Sequence, residues 1–159
     1  MSRRVVIVGG SLAGLRAAEE LRAQGHDGPI AVVGDEVHRP YDRPPLSKDV
    51  LAGTAAPEST TLGVTSGSVE DLDLEWHLGA PAAGLDVAAR QVRLWSGEAL
   101  PYDGIVVATG ASPRRLPNTD HLAGVHTLRT LDDGLAIRKA VEAQPSRVVV
   151  VGAGFIGAE

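Results

Sequence analysis

The sequence predicts an α/β fold built on a parallel sheet, and three observations carry that expectation. Three β-branched runs, Arg4-Val5-Val6-Ile7-Val8, Ile30-Ala31-Val32-Val33 and Ile105-Val106-Val107-Ala108, lack the alternation of half-exposed strands. Such runs read as strands buried on both faces. Each stops at a turn that contains glycine. Between the first two lies a segment with helical spacing, so strand, helix and strand follow one another within 33 residues.

The elements follow in order. From Ser11 to Gln24, Leu12, Leu15, Ala18 and Leu21 recur on one helical face, and Gly25 ends the pattern. The second strand closes at Gly34-Asp35-Glu36, and its crossover from the first should be right-handed. The stretch His38-Arg39-Pro40-Tyr41-Asp42-Arg43-Pro44-Pro45-Leu46 is held extended by its proline rings. Ser47 is placed to cap a short helix reaching Gly53, and residues 54–68 read as loop. Leu74 to Leu78 suggests a further short strand. Gln91-Val92-Arg93-Leu94-Trp95 alternates before the Ser96-Gly97 turn, which predicts small antiparallel strands inserted into the parallel layout. Thr130-Leu131-Asp132-Asp133 is an acidic capping box opening a helix to about Ala143. Val148 to Val151 predicts one more β-branched strand, meeting Gly152 and left without its usual cover because the helix after Gly157 is missing.

Composition narrows the chemistry. The 159 residues contain no cysteine, which excludes disulfides, thiolate metal sites and a redox cysteine pair. The five histidines show no close ligand spacing, so no metal is expected. A net charge of −5 gives no case for nucleic acid or an anionic membrane. No apolar run approaches the roughly 18 residues of a membrane span. The expectation is a soluble, cytoplasmic protein acting on small molecules. Thirteen of its 15 basic residues are arginine, which sets Lys48 and Lys139 apart.

Two glycine turns point to nucleotides. Gly9-Gly10-Ser11-Leu12-Ala13-Gly14 follows the first strand and matches G-x-G-x-x-G except that Ser11 replaces the second glycine. Such a turn brings exposed amides and a helix N-terminus against a pyrophosphate. Asp35, 21 residues after Gly14, stands where a carboxylate accepts from ribose hydroxyls. Gly152-Ala153-Gly154-Phe155-Ile156-Gly157 fits the full template after Val148–Val151. The sequence ends two residues later, so a second dinucleotide-binding unit cut off at its first turn is expected. Two such turns imply a bound flavin and a diffusible nicotinamide.

These residues, with Tyr41-Asp42-Arg43-Pro44-Pro45-Leu46-Ser47-Lys48, Val107-Ala108-Thr109-Gly110 and Leu128-Arg129-Thr130, resemble the N-terminal part of the FAD- and NAD(P)H-dependent ferredoxin reductases, also called rubredoxin or putidaredoxin reductases. The resemblance covers the entire chain, and the Pro-Pro-Leu-Ser-Lys run is its most specific part. It implies a Rossmann-like FAD/NAD(P)-binding fold, truncated. Residues 1–145 would be the N-terminal part of the FAD domain and 146–159 the start of the NAD(P) domain. It also implies roles. Gly9, Gly10, Ser11, Leu12, Ala13 and Gly14 would lie on the FAD pyrophosphate and Asp35 on its ribose. Arg43 and Lys48 would face the flavin, Ala82 the adenine, and Ala108, Thr109, Gly110 and Arg129 further parts of FAD. Gly152, Gly154 and Gly157 would bind NAD(P)H, with Phe155, Ile156 and Glu159 near the nicotinamide. Lys48 and Glu159 are the catalytic candidates, and Lys48 is similar to a family lysine that often has an acidic partner. Asp42 is a candidate partner for Arg43 or Lys48.

The implied reaction passes electrons from NAD(P)H through FAD to a ferredoxin-like iron–sulfur protein. A disulfide reductase of the glutathione-reductase type fails for want of cysteine. A nicotinamide-dependent dehydrogenase would not need the proline–lysine segment. The alternative is a dinucleotide-binding remnant without activity. Arg114, Arg115, His121 and His126 read as solvent-facing, and Trp76 and Trp95 as packing residues.

Overall fold

The structure, a computed structural model, describes residues 3–119, 121–152 and 154–159. The chain forms two compact units that are not consecutive in sequence: Met1–Tyr41 with Leu62–Gly110, and Asp42–Thr61 with Ala111–Glu159.

The first unit is a parallel sheet covered on both faces. Strands β1 (Val5–Val8), β2 (Ile30–Val33), β3 (Leu74–His77) and β7 (Gly104–Val107) pair in the order β3-β2-β1-β7, all parallel. Helix α1 (Leu12–Ala23) links β1 to β2. Alternation along β1 explains why the whole run is apolar. Val5 and Ile7 pack with Leu15 and Ala18 of α1, while Val6 packs on the opposite face with Val92, Leu94 and Leu100. Those last residues belong to the antiparallel sheet β4 (Ala82–Asp86), β5 (Gln91–Leu94) and β6 (Ala99–Pro101). The inserted strands thus cover the second face of the parallel sheet. Arg22 closes the unit's far end, donating to the carbonyls of Leu72, His26, Gly28 and Asp73.

The second unit is built from short turns around one longer helix. A 3-10 turn at Pro44–Ser47 leads into α2 (Asp49–Ala52), and a second 3-10 turn spans Pro57–Thr60. Helix α3 (Leu131–Glu142) starts at the expected capping box: Thr130 Oγ1 accepts from the Asp133 N–H at 3.1 Å, and Asp133 accepts from the Thr130 N–H at 2.9 Å. Leu46, Val50 and Leu131 are its buried apolar residues. The chain closes with α4 (Phe155–Ala158).

Four expectations need correction. Ser47 is not an N-cap; it ends the 3-10 turn, and Lys48 precedes α2. Residues 54–68 are not all loop, because Pro57 starts a 3-10 turn at a position that needs no N–H donor. Val148–Val151 joins no ladder among the described residues and is 61–73% exposed. A β-branched run becomes a strand only when neighbouring backbone accepts its hydrogen bonds, and here none does. Trp95 is 77% exposed, because it follows β5 with its backbone N–H paired to Pro81 and its ring beyond the sheet. Trp76 is half-buried under the Arg39 guanidinium, 4.3 Å from the ring centroid. Among the described residues no helix is long and apolar enough to cross a membrane.

Candidate functional site

In the first unit the site residues gather at the carboxyl ends of the parallel strands, where open α/β sheets bind ligands. Gly9 follows β1 with φ +131°, and its N–H donates to Val33 O at 2.8 Å. A Cβ on Gly9 would lie 2.0 Å from the Ala108 carbonyl oxygen, so β1 and the end of β7 meet at a distance only glycine permits. A Cβ on Gly14 would lie 1.9 Å from the Gly9 oxygen. Gly14 therefore seats the first turn of α1 on the preceding strand. Gly10 lies against Gly34, where a Cβ would sit 3.3 Å from the Gly34 Cα.

The helix start itself is bare. Ser11 is the extended N-cap, its side chain makes no capping bond, and no acid lies in the first turn. Leu12 and Ala13 are exposed. Among the described residues no side chain accepts from the first amides of α1, which lie at the positive end of the helix dipole. That donor set fits an anion such as a pyrophosphate. Asp35 is exposed two residues beyond the end of β2. Ala108 donates to Val8 O at 2.7 Å, and exposed Thr109 and Gly110 follow it. Ala82 begins β4 opposite Leu94, next to a register shift, and packs against the Val92 cluster.

In the second unit the charged candidates converge. Arg43 donates through Nη1 to the Arg129 carbonyl at 2.5 Å, and the Arg129 N–H donates to the Asp133 carboxylate at 2.9 Å. Lys48 Nζ lies 2.7 Å from Glu159 Oε1. Ser47 Oγ donates to the other carboxylate oxygen, Oε2, at 2.5 Å. Lys48's partner is therefore Glu159 rather than Asp42. The hydrogen bond from Lys48, then that from Ser47, holds the Glu159 carboxyl below the ordinary glutamate range.

The described residues of the second glycine turn share features of the first. Gly152 has φ +119°, Gly154 is an extended N-cap without a side-chain bond, and α4 follows. A Cβ on Gly157 would lie 2.5 Å from the Gly152 oxygen. Phe155 is 92% exposed, and Ile156 is also exposed. Ala153, part of the motif, lies outside the described residues.

Two contacts escaped the sequence reading. The Ser47 hydroxyl, which the sequence places at a helix cap, bonds Glu159 instead, and no local spacing marks that partner. Tyr41, buried beside the proline run, donates to the Glu36 carboxylate next to Asp35, and no sequence spacing marks that pair. Among the described residues no group of three or more His, Cys, Asp or Glu side chains is placed to hold a metal.

The comparisons agree with this geometry. The biphenyl dioxygenase system ferredoxin–NAD(+) reductase component of Paraburkholderia xenovorans is 44% identical over 156 residues, covering 98% of this chain and 38% of that protein. The crystal structure of the ferredoxin reductase for the CYP199A2 system from Rhodopseudomonas palustris aligns with a TM-score of 0.86 and 38% identity, over 98% of this chain and 38% of that one. A covalent putidaredoxin reductase–putidaredoxin complex aligns at TM-score 0.79 and 40% identity, over 87% and 34%. The chain thus spans well under half the length of the relatives it matches. The parallel sheet with its bare glycine turn, and a match across residues 3–159, show that the chain belongs to the pyridine nucleotide-disulphide oxidoreductase family.

Proposed function

We propose that this chain is the N-terminal portion of an FAD-dependent NAD(P)H:ferredoxin reductase. The observation that carries the reading is the first glycine turn, where Gly9 and Gly14 permit close backbone approach and α1 begins without a capping side chain. The relatives named ferredoxin reductases support the choice of reaction. Those amides would hold the FAD pyrophosphate, and Asp35 would accept from its ribose. Ala82, Ala108, Thr109, Gly110 and Arg129 would contribute further contacts. Residues 146–159 would begin the NAD(P)H unit, with Gly152, Gly154 and Gly157 at the pyrophosphate and Phe155 and Ile156 near the nicotinamide.

FAD, when bound, supplies the conversion from a two-electron hydride donor to single electrons for an iron–sulfur protein. The chain supplies charge and position. Arg43 and Lys48 would present cations where negative charge develops, and such preorganised charge stabilises without reorganisation. Glu159 tempers Lys48 by pairing with it. The acceptor would be a ferredoxin-like protein, and the complex of a similar reductase with putidaredoxin supports that partner.

The test is spectroscopic. A protein continuing this sequence to the length of its relatives is yellow and reduces an artificial acceptor with NADH or NADPH. One that stays colourless after flavin is added overturns the reading. The 159-residue chain alone holds FAD weakly and oxidises no NAD(P)H. Sub-micromolar binding with NAD(P)H-driven bleaching would show it to be a complete small enzyme instead.

A further inference from the structure

We propose that Ser47 is a positioning residue: its hydroxyl holds the Glu159 carboxylate against the Lys48 ammonium and so sets how far that cation is neutralised. An exposed ammonium–carboxylate pair is weak and rotates easily, because both side chains lose freedom to make one screened contact. Here the carboxylate is pinned at both oxygens, Oε1 by Lys48 and Oε2 by Ser47. The second anchor is short, and its residue is only 8% exposed. Little freedom is lost in holding it, and a hydroxyl donating to a carboxylate is a charge-assisted bond. The hydroxyl has one proton, and Pro44 O at 3.4 Å competes poorly with Glu159 Oε2 at 2.5 Å.

Other charged groups of the unit have contacts of their own. Asp49 accepts from Thr54, Arg138 pairs with Glu142, and Arg43 donates to the Arg129 carbonyl. The Glu159 carboxylate is thus faced by Lys48 and Ser47, and its lowered pKa has those same two causes. Ser47 and Lys48 are adjacent in the proline run, whereas Glu159 follows the helix that the second glycine turn opens. Ser47 therefore ties the end of α4 to the run that carries the candidate flavin cation. The meaning of this tie for electron transfer rests on the proposed function; the contact itself does not.

The test is a carbon-13 NMR titration of the Glu159 side chain in the 159-residue chain, without flavin. Ser47→Ala raises the Glu159 midpoint toward the ordinary glutamate value, and Ser47→Thr restores it. An unchanged midpoint in Ser47→Ala, or a shift that threonine does not restore, overturns the proposal. A reciprocal measurement needs no substitution at Ser47. Its Cβ resonance follows the Glu159 titration in the wild-type chain and ceases to do so in Glu159→Gln. A Ser47 resonance indifferent to Glu159 also overturns it. Failure of flavin binding, measured separately, would strike the proposed function alone.

Discussion

Gly9 and Gly152 carry φ values of +131° and +119°, and each is followed two residues later by an extended N-cap, Ser11 without a capping bond and Gly154 with no side chain to make one. In both turns the last glycine of the motif sits over the carbonyl of the first. The strands that should precede them differ completely. Val5–Ile7 is buried between β2 and β7, with an α-helix on one face and the antiparallel sheet on the other. Val148–Val151 is exposed and unpaired among the described residues. The pair separates two layers of causation. Glycine placement alone forms the turn, because the positive φ and the close carbonyl contact are local requirements. Burial of the strand is decided by distant segments, which pack on Val5–Val8 and, among the described residues, not on Val148–Val151.

The largest expected contrast is at the glycines that close each turn. Gly14→Ala puts a Cβ 1.9 Å from the Gly9 oxygen, inside a packed unit where neither partner can retreat. Its cost is about 3 kcal/mol of unfolding free energy. Gly157→Ala puts a Cβ 2.5 Å from Gly152 O, but in a short helix whose residues are exposed, where a local adjustment disturbs little packing. Its cost is below about 0.5 kcal/mol. Urea denaturation of both variants measures the difference, and equal costs would mean that the second turn is as firmly packed as the first.

The strands give the next contrast. Val6→Ala removes two methyl groups from a fully buried position and costs about 2 kcal/mol. Val149→Ala removes the same atoms from an exposed one and leaves stability within about 0.5 kcal/mol. A comparable loss at Val149 would show that residues 148–151 are covered in solution.

The same division explains what could be read in advance. The β-branched runs at 4–8, 30–33 and 105–108, the capping box at Thr130 and the first glycine turn are local signals, and the structure forms strands at Val5–Val8, Ile30–Val33 and Gly104–Val107, the capped helix and that turn. That Val148–Val151 pairs with no strand among the described residues was not legible, because the run looks like Val5–Val8 and differs only in its neighbours. The Ser47 bond was not legible either, since its partner lies 112 residues away. At the candidate site the sequence named Lys48 and Glu159 through a resemblance, but offered Asp42 as the partner. Nothing in spacing distinguishes an adjacent acid from one brought in by the fold.

Helix starts supply a smaller contrast. Thr130→Ala removes a capping oxygen that accepts at 3.1 Å, and costs about 1 kcal/mol. Ser11→Ala removes a hydroxyl that caps nothing, so thermal stability stays within a few tenths of a kcal/mol. If both changes destabilise equally, Ser11 caps α1 in solution, and the bare helix start that supports an anion site is lost.

The smallest effect compares the glutamates tied to the two glycine-turn helices. Glu19, on α1, accepts from the Thr65 N–H and pairs with Arg16; the backbone bond, then the arginine, lowers its pKa below 4.5. Glu159, directly after α4, is lowered by Lys48 and Ser47. A depressed carboxylate stabilises the fold above its unfolded pKa, and that contribution is lost as pH falls through the folded value. Glu19 fastens α1 to the loop at Thr65 inside the sheet unit, so its protonation loosens packed structure. Glu19→Gln should therefore lower stability at neutral pH and flatten the acid limb of the stability curve. Glu159→Gln should act in the same direction but much more weakly, because its pair with Lys48 is partly exposed and the segment it follows is exposed. Chemical denaturation at neutral pH and near pH 3 reads both. An acid limb unaltered by Glu19→Gln would show that the Thr65 contact does not hold the loop. A change with Glu159→Gln as large as that with Glu19→Gln would show that the second turn is coupled to the fold more tightly than its exposure implies.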